Sequence, residues 1–215
     1  MSTIDMTSPN MQQYPAQAPK KRSCLVGCLG MLGILAVFAV TTVAAVISIH
    51  NDLIERQEKV RASFSAIETQ LQRRIDLIPN LVNVTKGYAK HEKEVFTAVS
   101  EARSKLLAAR DVAEKAEANE SLGHALGRLM AISENYPQLK ANENFLRLQD
   151  ELAGTENRIA VARTRYNEVV QAFNASIMKI PTRYFAIAMR METAPYFKPP
   201  ASREDLEKSP TVSFE

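Results

Sequence analysis

His91-Glu92-Lys93-Glu94 is the stretch nearest to a catalytic pattern. A histidine followed by glutamate opens the zinc-protease motif, in which a second imidazole one turn later completes the metal site and the glutamate serves as base. The returning histidine is missing, and His50 and His124 are remote in sequence. His91 falls between Tyr88 and Val95 on an apolar stripe, so the expectation is a half-buried, hydrogen-bonded histidine with Glu92 beside it, and no metal. Arg73, Arg74 and Asp76 precede Pro79-Asn80. There the aspartate and an arginine can pair while Asn80 satisfies backbone groups freed by the proline; the sharper alternative is a docking corner for a protein partner. Asn142, Glu143 and Asn144 read as a helix start, with Asn142 in the capping region and Glu143 in the first turn, where the helix dipole favours it. Glu156 and Asn157 follow Gly154-Thr155, a weak point inside a helix. They suit a close helix crossing or a hydrogen bond that fixes helix register, with ligand contact as the alternative.

These groups do not add up to an enzyme. No GxSxG elbow exists, and the 7 glycines are scattered or lie in the apolar N-terminal run, so no phosphate cradle forms. Carboxylates are plentiful, but on charged helix surfaces at i, i+4 spacing no two stand out as acid and base. The 2 cysteines, Cys24 and Cys28, both lie in the N-terminal run. No catalytic, cofactor-binding or metal residue is assigned. With 27 Lys and Arg against 24 Asp and Glu, and with Lys20, Lys21 and Arg22 belonging to a membrane flank, the remaining charges almost cancel. Interspersed signs of that kind lack the basic face that a nucleic-acid partner requires.

From Ser23 to Ile49 the chain carries no charge, directly behind Lys20-Lys21-Arg22. As a helix this run is roughly 40 Å long, enough to cross a hydrocarbon core of about 30 Å. It is too long for a cleaved signal and reads as a signal anchor. Leu25-Val26-Gly27-Cys28 imitates a lipoprotein box, but such a box follows its apolar stretch and this one precedes it. The basic flank abuts the span more closely than Arg56, Lys59 and Arg61 on the other side. That places the N-terminus in the cytoplasm and the large domain outside, which in a two-membrane bacterium is the periplasmic side of the inner membrane. Residues 1–22 read as a disordered tail with a basic flank, and 23–49 as the transmembrane helix.

After the span, Leu53, Val60, Phe64, Ile67, Leu71, Ile75 and Ile78 make one helical stripe that Pro79 is expected to end or kink. A second stripe runs from Leu81 to about Lys115, a shorter third through Leu122, Leu126 and Leu129 to Tyr136-Pro137. The fourth is the most regular: Phe145, Leu148, Leu152, Thr155, Ile159, Ala162, Tyr166, Val169, Phe173, Ile177 and Ile180, closed by Pro181. No period-two pattern suggests a sheet. The expected fold is all-α: an N-terminal transmembrane helix, then an antiparallel four-helix, coiled-coil-like bundle over 50–181, with a Pro-rich extension over 182–215. In that extension Tyr184–Met191 is an apolar patch suited to the bundle or the bilayer surface.

The segments QRRIDLIPNLVNVTKGYAKHEKEVFTAVSEAR (72–103) and YPQLKANENFLRLQDELAGTENRIAVARTRYNEVVQAFN (136–174), with Pro210–Phe214 at the end, resemble the LemA family over nearly all of residues 50–215. The resemblance implies an N-terminal anchor followed by a four-helix, coiled-coil-like domain. It also implies a bacterial membrane-associated protein without established enzymatic activity, some relatives being linked to the organisation of membrane compartments or the envelope. His50-Asn51 stands where the family usually has Tyr-Asn, and the polar tail is longer than is common.

Two functional classes remain. A membrane-anchored scaffold that self-associates or docks envelope proteins fits the anchor and the long heptad seam. Gly27, Gly30 and Gly33 in the span add a weak cue for helix packing. A ligand-sensing or signalling ectodomain is the alternative, disfavoured by a cytoplasmic part too short to receive a signal. A pilin-like subunit would need a processing site and a Glu just inside its apolar helix, and has neither.

Overall fold

Proline inside a helix removes one i to i−4 hydrogen bond, yet Pro79 does not end the first helix. In a computed structural model of the chain, which describes residues 21–198, with side chains from Leu29 onward, α1 runs Lys21–Tyr88 with Pro79 inside it. The carbonyl orphaned by Pro79 is that of Ile75, and the Arg103 guanidinium takes it, Nε to O 3.2 Å. A side chain from the next helix thus replaces the missing backbone donor. Leu81 and Val82 consequently continue the buried face of α1 rather than opening a new helix. The actual break comes ten residues later, at the turn 89–92.

The other elements are α2 (Lys93–Ala108), α3 (Val112–Ser133), α4 (Pro137–Lys140), α5 (Glu143–Met178) and α6 (Thr182–Ala188), and no strand occurs among the described residues. The second apolar stripe is therefore split between α1 and α2. The end of that stripe, read as reaching about Lys115, belongs instead to α3, which starts after Asp111. Asp111 Oδ1 accepts from Glu114 N at 2.8 Å, and the small side chains of Ala116 and Ala118 are buried. Such a cap supplies an acceptor for one of the orphan donors at a helix start. The tail 1–20 and the end 199–215, including Pro210–Phe214, lie outside the described residues. So do the side chains of Cys24 and Cys28 and the surroundings of Gly27.

The chain divides into two units between Ser48 and Ile49. In the first, the large apolar side chains from Leu29 to Ile47 are 41–72% exposed, and nothing lies within 4 Å of a Cβ built on Gly30 or Gly33. In the second, the helices enclose one core that runs from Leu53 to Phe197. Their directions follow from cross-contacts. Lys86 lies over the Phe96 ring and Arg103 meets Ile75, so α2 runs back along α1. Lys115 pairs with Glu68 and Arg74 with Asn119, so α3 runs parallel to α1. Asn142 bonds Tyr88, Arg74 pairs with Glu156 and Phe64 packs against Tyr166, so α5 runs antiparallel to α1.

The α2–α3 hairpin is shorter than α5, and α6 and an extended segment, Ala194–Phe197, pack on α5. That segment is held by two side-chain amides of α5. Asn174 donates to Ala194 O at 2.9 Å and accepts from Ala194 N at 2.8 Å. Asn167 does the same with Phe197 at 3.2 and 2.9 Å. Two helical turns span about 10.5 Å and three extended residues about 10 Å, so asparagines seven apart match backbone positions three apart. Tyr166 adds a bond from its hydroxyl to Pro195 O at 2.8 Å. Phe197, 2% exposed, is pinned into the core.

Candidate interaction site

Arg74 is the side chain around which three helices meet. It projects from the core-facing side of α1 and its side chain is 7% exposed. Nη1 donates to Asn119 Oδ1 of α3 at 2.7 Å and pairs with Glu156 of α5, while Nε is buried without a partner. Burial pushes the guanidinium below its ordinary value and Glu156 opposes the shift. Arginine starts so high that it stays charged. A buried cation of this kind is tolerated because Glu156, 51% exposed, brings an opposite charge to the surface end of the site. With His124, Arg163 and Phe197 these residues line an open cleft of about 440 Å³.

The remaining residues singled out from sequence scatter around this junction. Arg73 and Asp76 are exposed on α1 and border an open groove beside Leu106 and Leu107. Asp76 accepts from Gln72 Nε2 at 2.8 Å instead of pairing with an arginine. Pro79 and Asn80 are exposed, and the backbone repair expected of Asn80 is made by Arg103. His91 is exposed in the turn after α1, not half-buried: once the helix ends at Tyr88 its periodicity no longer carries position 91, and Ala89 points inward instead. Glu92 accepts from Tyr136 Oη at 3.2 Å, tying that turn to the end of α3.

Asn142 caps α5, its Oδ1 accepting from Phe145 N at 3.1 Å, and its amide donates to Tyr88 Oη at 3.1 Å. Glu143 and Asn144 are exposed in the first turn. Asn157 is exposed, and the atoms nearest to a Cβ built on Gly154 belong to the Arg158 side chain, while Glu156 makes the interhelical pair with Arg74. Asn167, Asn174 and Arg103 were not read from sequence as special. The available signal was two asparagines one heptad apart inside a long helix that disfavours them.

These contacts knit helices together along a polar line: Arg103 to α1, Arg74 to α3 and α5, and Arg158 Nε to Gln70 Oε1 at 3.0 Å. The LemA family profile matches residues 63–214, about seven-tenths of the chain. The chain belongs to the LemA family. Among similar proteins, magnetosome proteins MamQ 1 and MamQ 2 of Paramagnetospirillum magneticum are each 29% identical, over 69% of this chain and 64% of theirs. Magnetosome protein MamQ of Magnetospirillum gryphiswaldense is 28% identical with the same coverage, and protein LemA of Metamycoplasma hominis 27% over 59% and 58%. The chain spans just under two thirds of the length of these MamQ relatives. As a LemA family chain it combines one helix long and apolar enough to cross a membrane with a helical unit built on the Arg74 junction.

Proposed function

We propose that this LemA family chain is a single-pass membrane scaffold that assembles with copies of itself and organises envelope or membrane-compartment proteins, without catalysing a reaction. The observation that carries the membrane part is the state of the first unit. Its described apolar side chains are open to the surroundings, and Thr41 and Thr42 turn their hydroxyls back to Phe38 O at 2.9 and 2.8 Å. Internal satisfaction of every polar group is what hydrocarbon demands of a helix. Lys20-Lys21-Arg22 supports an N-terminus in the cytoplasm and the helical unit outside the inner membrane. The domain division follows: tail 1–22, span 23–49, bundle 50–181, extension 182–215. The magnetosome relatives support a role at a membrane compartment. Arg73, Asp76 and the groove beside them are the proposed docking corner for a partner.

The test is the mass of the full chain in lipid nanodiscs and in detergent, by light scattering with particle imaging across a dilution series. A defined multimer that survives dilution is the expected result. A monomer at every concentration would sink self-assembly.

A further inference from the structure

Four large apolar side chains at the junction of α5 and α6 are left uncovered by the described residues: Met178, Ile180, Tyr184 and Ile187 are 62%, 74%, 66% and 63% exposed. Three cations, Lys179, Arg183 and Arg190, alternate with them, and no acidic residue lies between Val169 and Met191. Elsewhere in this unit the two signs are mixed, so the purely basic character is local. The elbow is a fixed shape. The Thr182 hydroxyl bonds the Lys179 and Ser176 carbonyls, and α6 packs its buried Ala186 toward the core.

Its position in the unit follows from register. Phe64 of α1 packs at a tilt against Tyr166 of the antiparallel α5 with ring centroids 5.6 Å apart. Eleven residues back along α1 is Leu53, eleven forward along α5 is Ile177, and both are buried. Equal rise per residue puts them at one level. The elbow is therefore at the end of the unit where the chain enters at Ile49, the last residue of the uncharged run.

Arg190 adds an independent observation. Met191 N bonds Ala186 O at 2.9 Å and Arg190 N bonds Ile187 O at 3.1 Å, the paired bonds of a Schellman helix end. The pivot of that motif is left-handed and ordinarily glycine, yet here an arginine holds φ 53°. The strained pivot thus carries a cation three residues after Ile187 of the exposed apolar set.

We infer that the α5–α6 elbow rests on the membrane surface, with its apolar side chains in the headgroup boundary and its cations on anionic lipid phosphates. This deepens the anchored reading above and rests on it. Aromatic and basic side chains together are the chemistry of the bilayer interface, and each cation there strengthens the attraction to an anionic leaflet about fivefold.

The chain contains no tryptophan, so single-tryptophan variants of the full chain report one position each. Nanodiscs of phosphatidylglycerol and phosphatidylcholine are prepared with and without dibrominated acyl chains. Tyr184→Trp is expected to emit at shorter wavelength than in detergent-free denaturant and to lose most of its emission to bromine. Val161→Trp, an exposed position farther back on α5, keeps its emission. Lys179→Ser with Arg183→Ser weakens the quenching of Tyr184→Trp in the anionic discs. Phe38→Trp, inside the span, separates the two readings. If it is quenched and Tyr184→Trp is not, the elbow proposal falls while the anchor stands; if Phe38→Trp escapes quenching, the anchor falls and the elbow with it. A blue shift of Tyr184→Trp without quenching would assign the patch to a second copy of the chain and also overturn the proposal.

Discussion

Glu156→Gln and Arg74→Met should have opposite characters although they break the same ion pair. Removing one partner of a fully buried pair costs about 3–5 kcal/mol, and an exposed pair is worth about 0–1. The Arg74 side chain is 7% exposed and that of Glu156 51%, so this pair lies between the limits. Glu156→Gln leaves the buried guanidinium with Asn119 and a neutral amide, and is expected to cost about 1–2 kcal/mol. Arg74→Met removes the pair and the Asn119 bond. It also abolishes the desolvated cation and its unpartnered Nε, while the apolar stem still fills the space among α1, α3 and α5. The opposing terms leave stability within about 1 kcal/mol of the parent. In the double variant Glu156→Gln then costs almost nothing, a coupling of about 1–2 kcal/mol. Urea titration of the full chain in detergent, followed by far-ultraviolet dichroism with slopes compared, measures all four corners. The reasoning is refuted if Arg74→Met costs clearly more than Glu156→Gln, because the arginine would then be a net source of stability and not a buried charge managed by its neighbours.

Arg103→Ala should lower stability by about 1 kcal/mol by leaving Ile75 O unpaired, and should lose that effect in a Pro79→Ala background, where residue 79 regains its own donor; thermal melts of the four proteins decide. Arg190→Gly relieves a left-handed backbone and is expected to gain about 1 kcal/mol in the same urea titration while weakening bromine quenching at the elbow. Asn142→Ala removes the α5 cap for about 1 kcal/mol, and amide exchange should rise in the first turn of α5 before anywhere else in that helix. Asn174→Ala opens one of the two clamps on the extended segment, so trypsin should cut after Arg190 faster than in the parent; an unchanged rate would mean that Asn167, Tyr166 and the buried Phe197 hold the segment without Asn174.

Much of the helical content was legible because it depends on local periodicity. The α5 stripe was read with Phe145, Leu148, Leu152, Thr155, Ile159, Tyr166, Phe173 and Ile177 inward, and these are buried; Ala162 and Val169 of the same stripe are only half-buried, Val170 taking the inward place, and Ile180, counted as its last member, is exposed beyond the helix end. The uncharged run and its basic flank likewise needed no tertiary information, since transfer to hydrocarbon depends on composition and length. Helix ends were less legible. A proline normally stops a helix, and only a guanidinium arriving from position 103 makes continuation past Pro79 acceptable. The candidate site shows the same division. Sequence marked Arg74 and Glu156 as unusual, 82 positions apart, but could not join them to each other or to Asn119.

What the sequence by itself determined is therefore what repeats every few residues or follows from composition: the apolar span, the amphipathic stripes and the Asn142 start of α5. What only tertiary structure decided is every contact between distant positions. These are the repair of Ile75 by Arg103, the three-helix junction on Arg74, the clamping of Ala194 and Phe197 by Asn174 and Asn167, and the bare apolar elbow at the end of α5. The physical reason is range: periodicity is set by backbone geometry within a turn or two, whereas a hydrogen-bond partner for a buried group is chosen by packing that brings remote segments together.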